Sequence, residues 1–280
     1  HVSLPMGLKR ARQIMEDRLD ENCELVAIVQ GNVQVGFKKF KDKIIYIVVD
    51  RQPENIINIL NNDSKDKRGE KLILNGMARD YFQRENLNRG IKEAEDNDLV
   101  LISDLDEIPN LDQLEVSRVK NNIIIFEQKM FYYKLNLYYK DYTWLGTKAV
   151  KKKKLISPQW LRNIKGKNYS KWRLDTFFSK KKYSNLYFVK NGGWHFTCLR
   201  TAEDLEKKLL NFAHHYEYEE SGLNINNLKQ LIAEKRVMYD HKADQKEFKW
   251  SGKSILKNID TNFLPEYVYS NLDKYSDWLD

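Results

Sequence analysis

The sequence predicts an α/β fold in which a mostly parallel sheet is flanked by helices. Compact runs rich in β-branched residues at 24–30, 43–50 and 98–103 read as buried strands, and a stretch with helical spacing precedes the third run. Strands that alternate with helices along a chain are typical of this class. At 280 residues, the chain fits one such domain with an extension.

The other elements follow from the same periodicities and from loop composition. Helical spacing is found at 8–19, 80–94, 111–119, 202–216 and 225–235, and a further strand is predicted at 122–127. Loops are predicted between Gly31 and Gly36 and across 53–70, which is rich in Asn, Asp and Lys. No repeat or linker divides the chain, so residues 1–200 are expected to form the core and 201–280 a helical C-terminal extension packed on it.

The charged residues are unevenly distributed, which indicates a site for an anionic ligand. The formal charge is +8, and basic residues gather at 38–43, 148–154 and 165–182, whereas 93–112 is acidic. A basic surface around one acidic pocket is expected where a metal ion meets a polyanion. Solvated faces explain such lysine runs equally well. Nucleic-acid binding is the less favoured reading, because no zinc-finger, RNP-type or helix-turn-helix signature accompanies the charge.

Cysteine usage and hydropathy indicate the cellular compartment of the protein. Cys23 and Cys198 are far apart and lack metal-type spacing, so no disulfide framework is predicted and a reducing compartment is expected. No apolar run approaches the roughly 18 residues that a membrane-spanning helix needs. A cytoplasmic protein is therefore expected.

The stretch DLVLISDLDEIP at 98–109 is the most informative part of the sequence. A hydrophobic strand that ends in Asp104 and Asp106 places both carboxylates at the carboxyl edge of the sheet, where open α/β folds bind ligands. Two carboxylates at ~4 Å repel by about 4 kcal/mol at an effective dielectric of roughly 20. Mg²⁺ or Mn²⁺ relieves this repulsion and accepts diphosphate oxygens as further ligands. The alternative is an acidic loop that caps the helix predicted at 111–119.

Several ordered motifs across the chain resemble one family of enzymes. ISDLDEIP at 102–109 resembles the signature of the glycosyltransferase family (family seventeen) that includes β-1,4-mannosyl-glycoprotein 4-β-N-acetylglucosaminyltransferase. The likeness continues in RDYFQR at 79–84, RGI at 89–91, WLGT at 144–147, GGWHF at 192–196, KL at 208–209 with FAH at 212–214, and LP at 264–265. The N-terminal part departs from the family pattern, because the Asn-Glu-x-Asp element is missing and Gln30 stands where an acidic residue is expected. This departure affects recognition of the nucleotide base.

The resemblance implies a GT-A fold, UDP-GlcNAc as the donor of the characterised members, and an inverting transfer. It also implies a divalent cation, Mn²⁺ or Mg²⁺, held by Asp106, with Asp104 binding the metal or the ribose and His195 as the third site residue. Arg84 and Arg89 are expected to contact phosphate oxygens. The alternatives are a structural histidine and arginines that form surface ion pairs.

Two further roles are less well determined by the sequence. An inverting mechanism needs a carboxylate base near the acceptor hydroxyl, and Glu107, Glu127 and Asp175 are candidates, with Glu127 preferred for its place at the end of a predicted strand. Trp194 is expected either to pack in the core or to stack on the donor sugar. The tyrosine-rich segment 131–142 is expected to line the acceptor site or to form ordinary core.

The expected function is metal-dependent transfer of a sugar from a UDP-sugar to a glycan, polysaccharide or glycolipid. One alternative is a catalytically weak nucleotide- or carbohydrate-binding protein of the same fold. Another is a phosphoryl-transfer enzyme or hydrolase that uses the same carboxylates. Peripheral contact between the lysine runs and an anionic membrane is expected, with the Golgi lumen as the location if a segment outside this sequence anchors the chain.

Overall fold

The structure, a computed structural model, describes residues 25–29, 44–115, 119, 122–170, 172–211, 215–243 and 248–280. Several features considered above lie outside these residues, namely the helix at 8–19, the loop between Gly31 and Gly36, Cys23, Gln30 and His214.

Eleven strands are present among the described residues, and the four strands predicted from the sequence are found among them. They are β1 (Leu25–Val29), β2 (Ile44–Val48), β3 (Leu99–Ile102), β4 (Glu107–Pro109), β5 (Ile123–Phe126), β6 (Gln128–Tyr132), β7 (Leu137–Trp144), β8 (Lys148–Lys151), β9 (Leu186–Val189), β10 (Gly193–Thr197) and β11 (Lys257–Asn258). β1 and β2 pair with each other, a four-stranded sheet has the order β3-β8-β5-β9, and a five-stranded sheet has the order β11-β7-β6-β10-β4.

Seven α-helices accompany the sheets in the described part of the chain, which confirms the α/β class. They are α1 (Lys65–Glu85), α2 (Pro158–Asn163), α3 (Leu174–Phe177), α4 (Ala202–Asn211), α5 (His215–Ser221), α6 (Ile225–Ala233) and α7 (Glu266–Tyr269). Single 3₁₀ segments occur at Asn86–Arg89, Leu111–Gln113, Lys152–Lys154, Thr261–Phe263 and Leu272–Trp278. Within the described residues, every helix is too short or too polar to cross a lipid bilayer.

The prediction of a mostly parallel sheet is wrong, because the strand pairings are mixed. β1 with β2, β5 with β9 and β6 with β10 pair in parallel, whereas the other ladders are antiparallel. The connection 133–136 between β6 and β7 is too short for a parallel crossover. β8 runs antiparallel between β3 and β5, so β3, β5 and β9 still point the same way. Their carboxyl ends therefore share one edge of the sheet.

The first long helix begins earlier than the sequence predicts. α1 starts at Lys65, within the stretch whose composition indicates a loop up to residue 70. Ser64 caps the helix by accepting a hydrogen bond from the N–H of Lys67 at 3.3 Å. The first turns are highly charged and carry no apolar period, so the sequence pattern does not reveal them.

The helix predicted after the acidic turn is also wrong in the part that is described. Only a 3₁₀ turn at Leu111–Gln113 forms, and 116–118 lie outside the described residues. Pro109 ends β4, which is an edge strand of the five-stranded sheet. An edge position suits proline because its missing N–H removes no bond from the ladder.

Both larger sheets are buried on both faces. The four residues of β5 are buried, and alternate residues face two different apolar clusters. In β6, Met130 and Tyr132 face the cluster formed with α4, α5 and α6, whereas Phe131 faces the segment that contains α7. Residues after 200 therefore cover both faces of the five-stranded sheet and add β11 to its edge.

Candidate active site at the acidic turn

The acidic turn lies between β3 and β4 and is joined to β10 by a short antiparallel ladder. Asp104 and Asp106 occupy the turn, and Glu107 begins β4. Glu107 is in register with His195, and the N–H of Phe196 donates a hydrogen bond to the carbonyl of Asp106 at 2.8 Å. The fold thus brings the GGWHF motif to the acidic motif.

Two glycines allow this ladder to form. A Cβ atom on Gly193 would lie 2.0 Å from the carbonyl oxygen of Ile108, and one on Gly192 would lie 2.6 Å from that of Val189. Gly193 also has a φ of +128°, a conformation that residues with a Cβ rarely adopt. The start of β10 therefore requires glycine at position 193.

Replacing Gly193 with alanine is expected to lower the free energy of unfolding by about 2 kcal/mol or more, because strain at positive φ adds to the contact with Ile108. Gly222→Ala is the matched control, since Gly222 has a φ of +72° and its Cβ would meet no described atom within 4 Å. It should lose only about 1 kcal/mol from strain. Urea unfolding followed by circular dichroism measures both losses. Equal losses would show that the approach to β4 does not constrain position 193.

Asp106 and His195 form the central pair of the site. Oδ1 of Asp106 lies 3.5 Å from Nε2 of His195. The imidazole is buried and stacks on the indole of Trp144, with ring centroids 4.3 Å apart. Burial acts to raise the pKa of Asp106, but His195, together with Lys208 and a backbone hydrogen bond, outweighs burial and lowers that pKa to about 2. The second imidazole nitrogen, Nδ1, is buried without a hydrogen-bond partner among the described residues.

Asp104 is held by two arginines. Nη2 of Arg162 donates to Oδ2 of Asp104 at 2.5 Å, and Nη2 of Arg84 lies 3.4 Å from Oδ1. Arg84 also donates to Asp80 and to the side chain of Gln159. The side chain of Asp104 is 40% exposed, so part of it is accessible to a ligand.

Glu107 is fully buried, and its carboxylate is saturated with hydrogen bonds. The donors are Arg162, Trp144 Nε1, Thr147 Oγ1, Ser103 Oγ and the N–H of Asp104, at distances from 2.6 to 3.4 Å. A Cβ on Gly146 would lie 1.9 Å from Oε1 of Glu107, so the packing around this carboxylate is tight. A carboxylate without exposed surface cannot take a proton from an acceptor hydroxyl. This burial disfavours Glu107 as a catalytic base.

Arg162 is a site residue that no sequence motif indicates. It donates to both Asp104 and Glu107 and so ties the two ends of the acidic turn together. Burial acts to lower the pKa of Arg162, but the two carboxylates outweigh it and raise that pKa. The guanidinium is therefore charged at any pH at which the protein is folded.

The short helix α2 places Arg162. Ser157 caps its start by accepting a hydrogen bond from the N–H of Trp160, and Pro158 occupies the first turn. At its end, Nζ of Lys148 donates to the carbonyls of Arg162 and Ile164 at 2.5 and 2.6 Å. In the sequence, Ser157 followed by Pro158 indicates the start of this helix. Nothing in the sequence indicates the direction in which its arginine points.

Arg89 and Trp194 both donate hydrogen bonds to backbone carbonyls outside the acidic turn. Arg89 donates to the carbonyl of Val48 at 2.9 Å and lines a cavity of about 300 Å³ beyond the end of β2, together with Arg51 and Phe82. Trp194 is 8% exposed, and its indole N–H donates to the carbonyl of Phe263 at 2.7 Å. This burial favours packing over stacking on a sugar.

The two remaining candidate bases are both engaged by cations. Glu127 lies between β5 and β6, and its carboxylate accepts hydrogen bonds from Lys190 at 2.7 and 2.9 Å. Asp175 lies in α3 between Arg173 and Lys182, whose hydrogen bonds lower the pKa of its carboxyl. Among the described ion pairs, neither carboxylate shares a cation with Asp104 or Glu107.

Most of the tyrosine-rich segment is core. Phe131, Tyr132, Tyr133 and Tyr139 are at most 1% exposed. Tyr132 also hydrogen-bonds the ring of His241 and the carbonyl of Tyr239. This burial favours the interpretation of 131–142 as a packed core segment over that of an acceptor surface.

The residues of the site fit a divalent cation in part. Two ligands bound to one ion at about 2.1 Å lie roughly 3.0–3.5 Å apart, and the separation of Asp106 and His195 matches this. Oxygen and imidazole ligands suit Mn²⁺. The described residues contain no cluster of three or more His, Cys, Asp or Glu side chains ready to hold a metal. Further ligands would have to come from a diphosphate and water, because Asp104 is engaged by Arg84 and Arg162.

The chain matches a known protein family. A family model described as glycosyltransferase family 17 matches residues 29–279, a span that includes the acidic turn, α2 and β10. Neither a curated protein nor a solved structure matches the chain.

Proposed function

The chain belongs to glycosyltransferase family 17, and we propose that it transfers N-acetylglucosamine from UDP-GlcNAc to a glycan, polysaccharide or glycolipid acceptor with inversion. The donor diphosphate is proposed to bind at the acidic turn, in a GT-A-like arrangement. The observation that carries this proposal is the Asp106–His195 pair beside the arginine-held carboxylate of Asp104. The mixed pairing of the sheets does not affect it, since the carboxyl ends of β3, β5 and β9 share one edge.

The charges of the site suit a leaving diphosphate. Bound Mn²⁺ or Mg²⁺ would supply Lewis-acid neutralisation of the growing negative charge, with Asp106 and His195 as its protein ligands. Arg84 carries five N–H donors in a rigid fork, and Asp80, Asp104 and Gln159 engage the four on Nη1 and Nη2. The remaining Nε–H is proposed to contact a phosphate oxygen. Arg89, in the cavity at the end of β2, is proposed to contact a more distant part of the nucleotide.

Glu127 is the carboxylate that best suits the role of general base. It directly follows β5, whose carboxyl end lies at the same sheet edge as that of β3. Its side chain is 22% exposed, and its partner Lys190 is 76% exposed, so an acceptor hydroxyl can replace the lysine at little cost. Glu107 lacks such access, and Asp175 is held by two cations.

A donor screen tests the proposed function. Nucleoside mono- or diphosphate released from UDP-, GDP- and CMP-sugars is measured with Mn²⁺, with EDTA, and with and without oligosaccharide acceptors. We expect release of UDP from UDP-GlcNAc that requires both an acceptor and the metal. Release without an acceptor would indicate a hydrolase. Binding of UDP without release, across all acceptors, would indicate a nucleotide-binding protein of the same fold.

The proposal extends to the cellular location of the protein and to its contact with a membrane. A cytoplasmic location is proposed from the cysteine usage, and it is supported by Cys198, which is buried and free among the described residues. Peripheral contact with an anionic membrane follows from the lysine runs and would bring a lipid-linked acceptor to the site. Lys148 does not take part in such contact, because it is buried below α2.

A further inference from the structure

The segment 165–182 combines strong positive charge with exposed apolar side chains. It contains seven basic residues and one acidic residue, Asp175. Trp172, Phe178 and Leu174 are 93%, 90% and 77% exposed, and they are the most exposed large hydrophobic side chains among the described residues. Monomeric proteins rarely leave neighbouring large apolar groups in water, and such groups mark an interaction surface.

The segment is a loop with a closed base and a projecting tip. At its base, the N–H of Lys165 donates to the carbonyl of Lys181, and the N–H of Tyr169 donates to that of Tyr183. Asn168 exchanges hydrogen bonds with the backbone of Leu186 in β9. The exposed apolar residues all lie in the tip between these two arms. The loop is thus anchored to the four-stranded sheet and presents its apolar side chains outward.

The charge of the tip is free to meet an anionic surface. Asp175, the only acidic residue, is already neutralised by Arg173 and Lys182. Lys180 and Lys181 are exposed and follow Phe178 in the sequence, and the backbone of Lys181 belongs to the closed base of the loop. Aromatic and aliphatic side chains bordered by lysines match the boundary between acyl chains and anionic headgroups of a bilayer. Leu174 adds apolar area without a ring, which favours a bilayer over stacking on nucleic-acid bases.

We propose that the tip of the 165–182 loop docks the protein on an anionic lipid bilayer. Trp172, Leu174 and Phe178 enter the headgroup boundary, and Lys180 and Lys181 contact the anionic headgroups. The loop starts three residues after Arg162, so its base lies near the candidate active site. The inference rests on the proposed function only in giving this location a purpose, namely access to a lipid-linked acceptor.

Cosedimentation with vesicles tests the proposal without any substrate. The full chain is expected to bind vesicles of phosphatidylcholine that contain phosphatidylserine, not vesicles of phosphatidylcholine alone, and to be released by high salt. The double variants Trp172→Ala/Phe178→Ala and Lys180→Gln/Lys181→Gln are each expected to bind about tenfold more weakly. The matched controls Phe248→Ala and Lys253→Gln/Lys257→Gln change exposed residues elsewhere and should bind like the wild type.

Three results would overturn the docking proposal. The first is absence of binding to anionic vesicles, and the second is equal binding by the loop variants and their controls. The third is that a single-stranded oligonucleotide displaces the protein from vesicles at a lower charge concentration than free anionic vesicles do. Release of UDP with a soluble acceptor, measured in parallel, separates this outcome from failure of the proposed function. Loop variants should keep that activity, and vesicle binding should persist in a chain that shows no transfer.

Discussion

Replacing Arg162 with methionine is expected to lower the free energy of unfolding by about 3–5 kcal/mol, because removal of one partner leaves the other charge buried and unpaired. The side chain of Arg162 is 13% exposed and that of Glu107 is not exposed at all. Methionine fills much of the same volume, so the loss reports mainly on the charge. Urea unfolding measured by circular dichroism gives the change.

Two variants show whether the buried carboxylate is the cause. Arg173→Met removes an ion pair whose members are 54% and 40% exposed, and it should lose far less stability than Arg162→Met. The double variant Glu107→Gln/Arg162→Met removes both charges and should recover much of the stability that Arg162→Met loses. A double variant that is less stable than Arg162→Met would show that the uncompensated charge of Glu107 is not the source of the loss.

The acidic turn can be predicted from the sequence because the residues that indicate it are consecutive in the chain. The hydrophobic run directly before Asp104 and Asp106 indicates a strand, and the two carboxylates indicate its polar end. Gly192 and Gly193 likewise indicate a close backbone approach two residues before His195. Each of these features needs only a few consecutive residues to be recognised. Their meeting in space follows from the β4–β10 ladder, which the sequence pattern does not contain.

Arg162 and the strand directions could not be predicted because they depend on non-local contacts. α2 has six residues, and the partners of its arginine lie 55 and 58 positions earlier in the chain. The short strand β8, with the sequence KAVK, has only one β-branched residue, so the sequence pattern indicates neither this strand nor its antiparallel direction between β3 and β5. In the 165–182 loop, the apolar residues read equally well as core until their exposure is known.

Replacing Asp106 with asparagine is expected to lower kcat/KM for sugar transfer about a hundredfold or more, because the loss of one charged ligand weakens neutralisation of the leaving diphosphate by several kcal/mol. Asparagine keeps the shape of the side chain, and the side chain of Asp106 is 28% exposed, so the fold should be retained. Released UDP is measured with an acceptor, and UDP affinity is measured by calorimetry with and without Mn²⁺. The increase in affinity caused by Mn²⁺ should be lost in this variant.

Asp104→Asn distinguishes the two carboxylates of the turn. Asp104 is bound by Arg84 and Arg162, whereas Asp106 faces His195, so the metal-dependent increase in UDP affinity should survive in Asp104→Asn. UDP binding in that variant should weaken in the presence and in the absence of Mn²⁺ alike, because the arginines lose their anchor. Asp112→Asn, at an exposed position after the turn, is the matched control and should leave both measurements unchanged. If Asp104→Asn alone abolished the effect of Mn²⁺, the cation would have to displace the arginines, and the assignment of Asp106 and His195 as its ligands would be wrong.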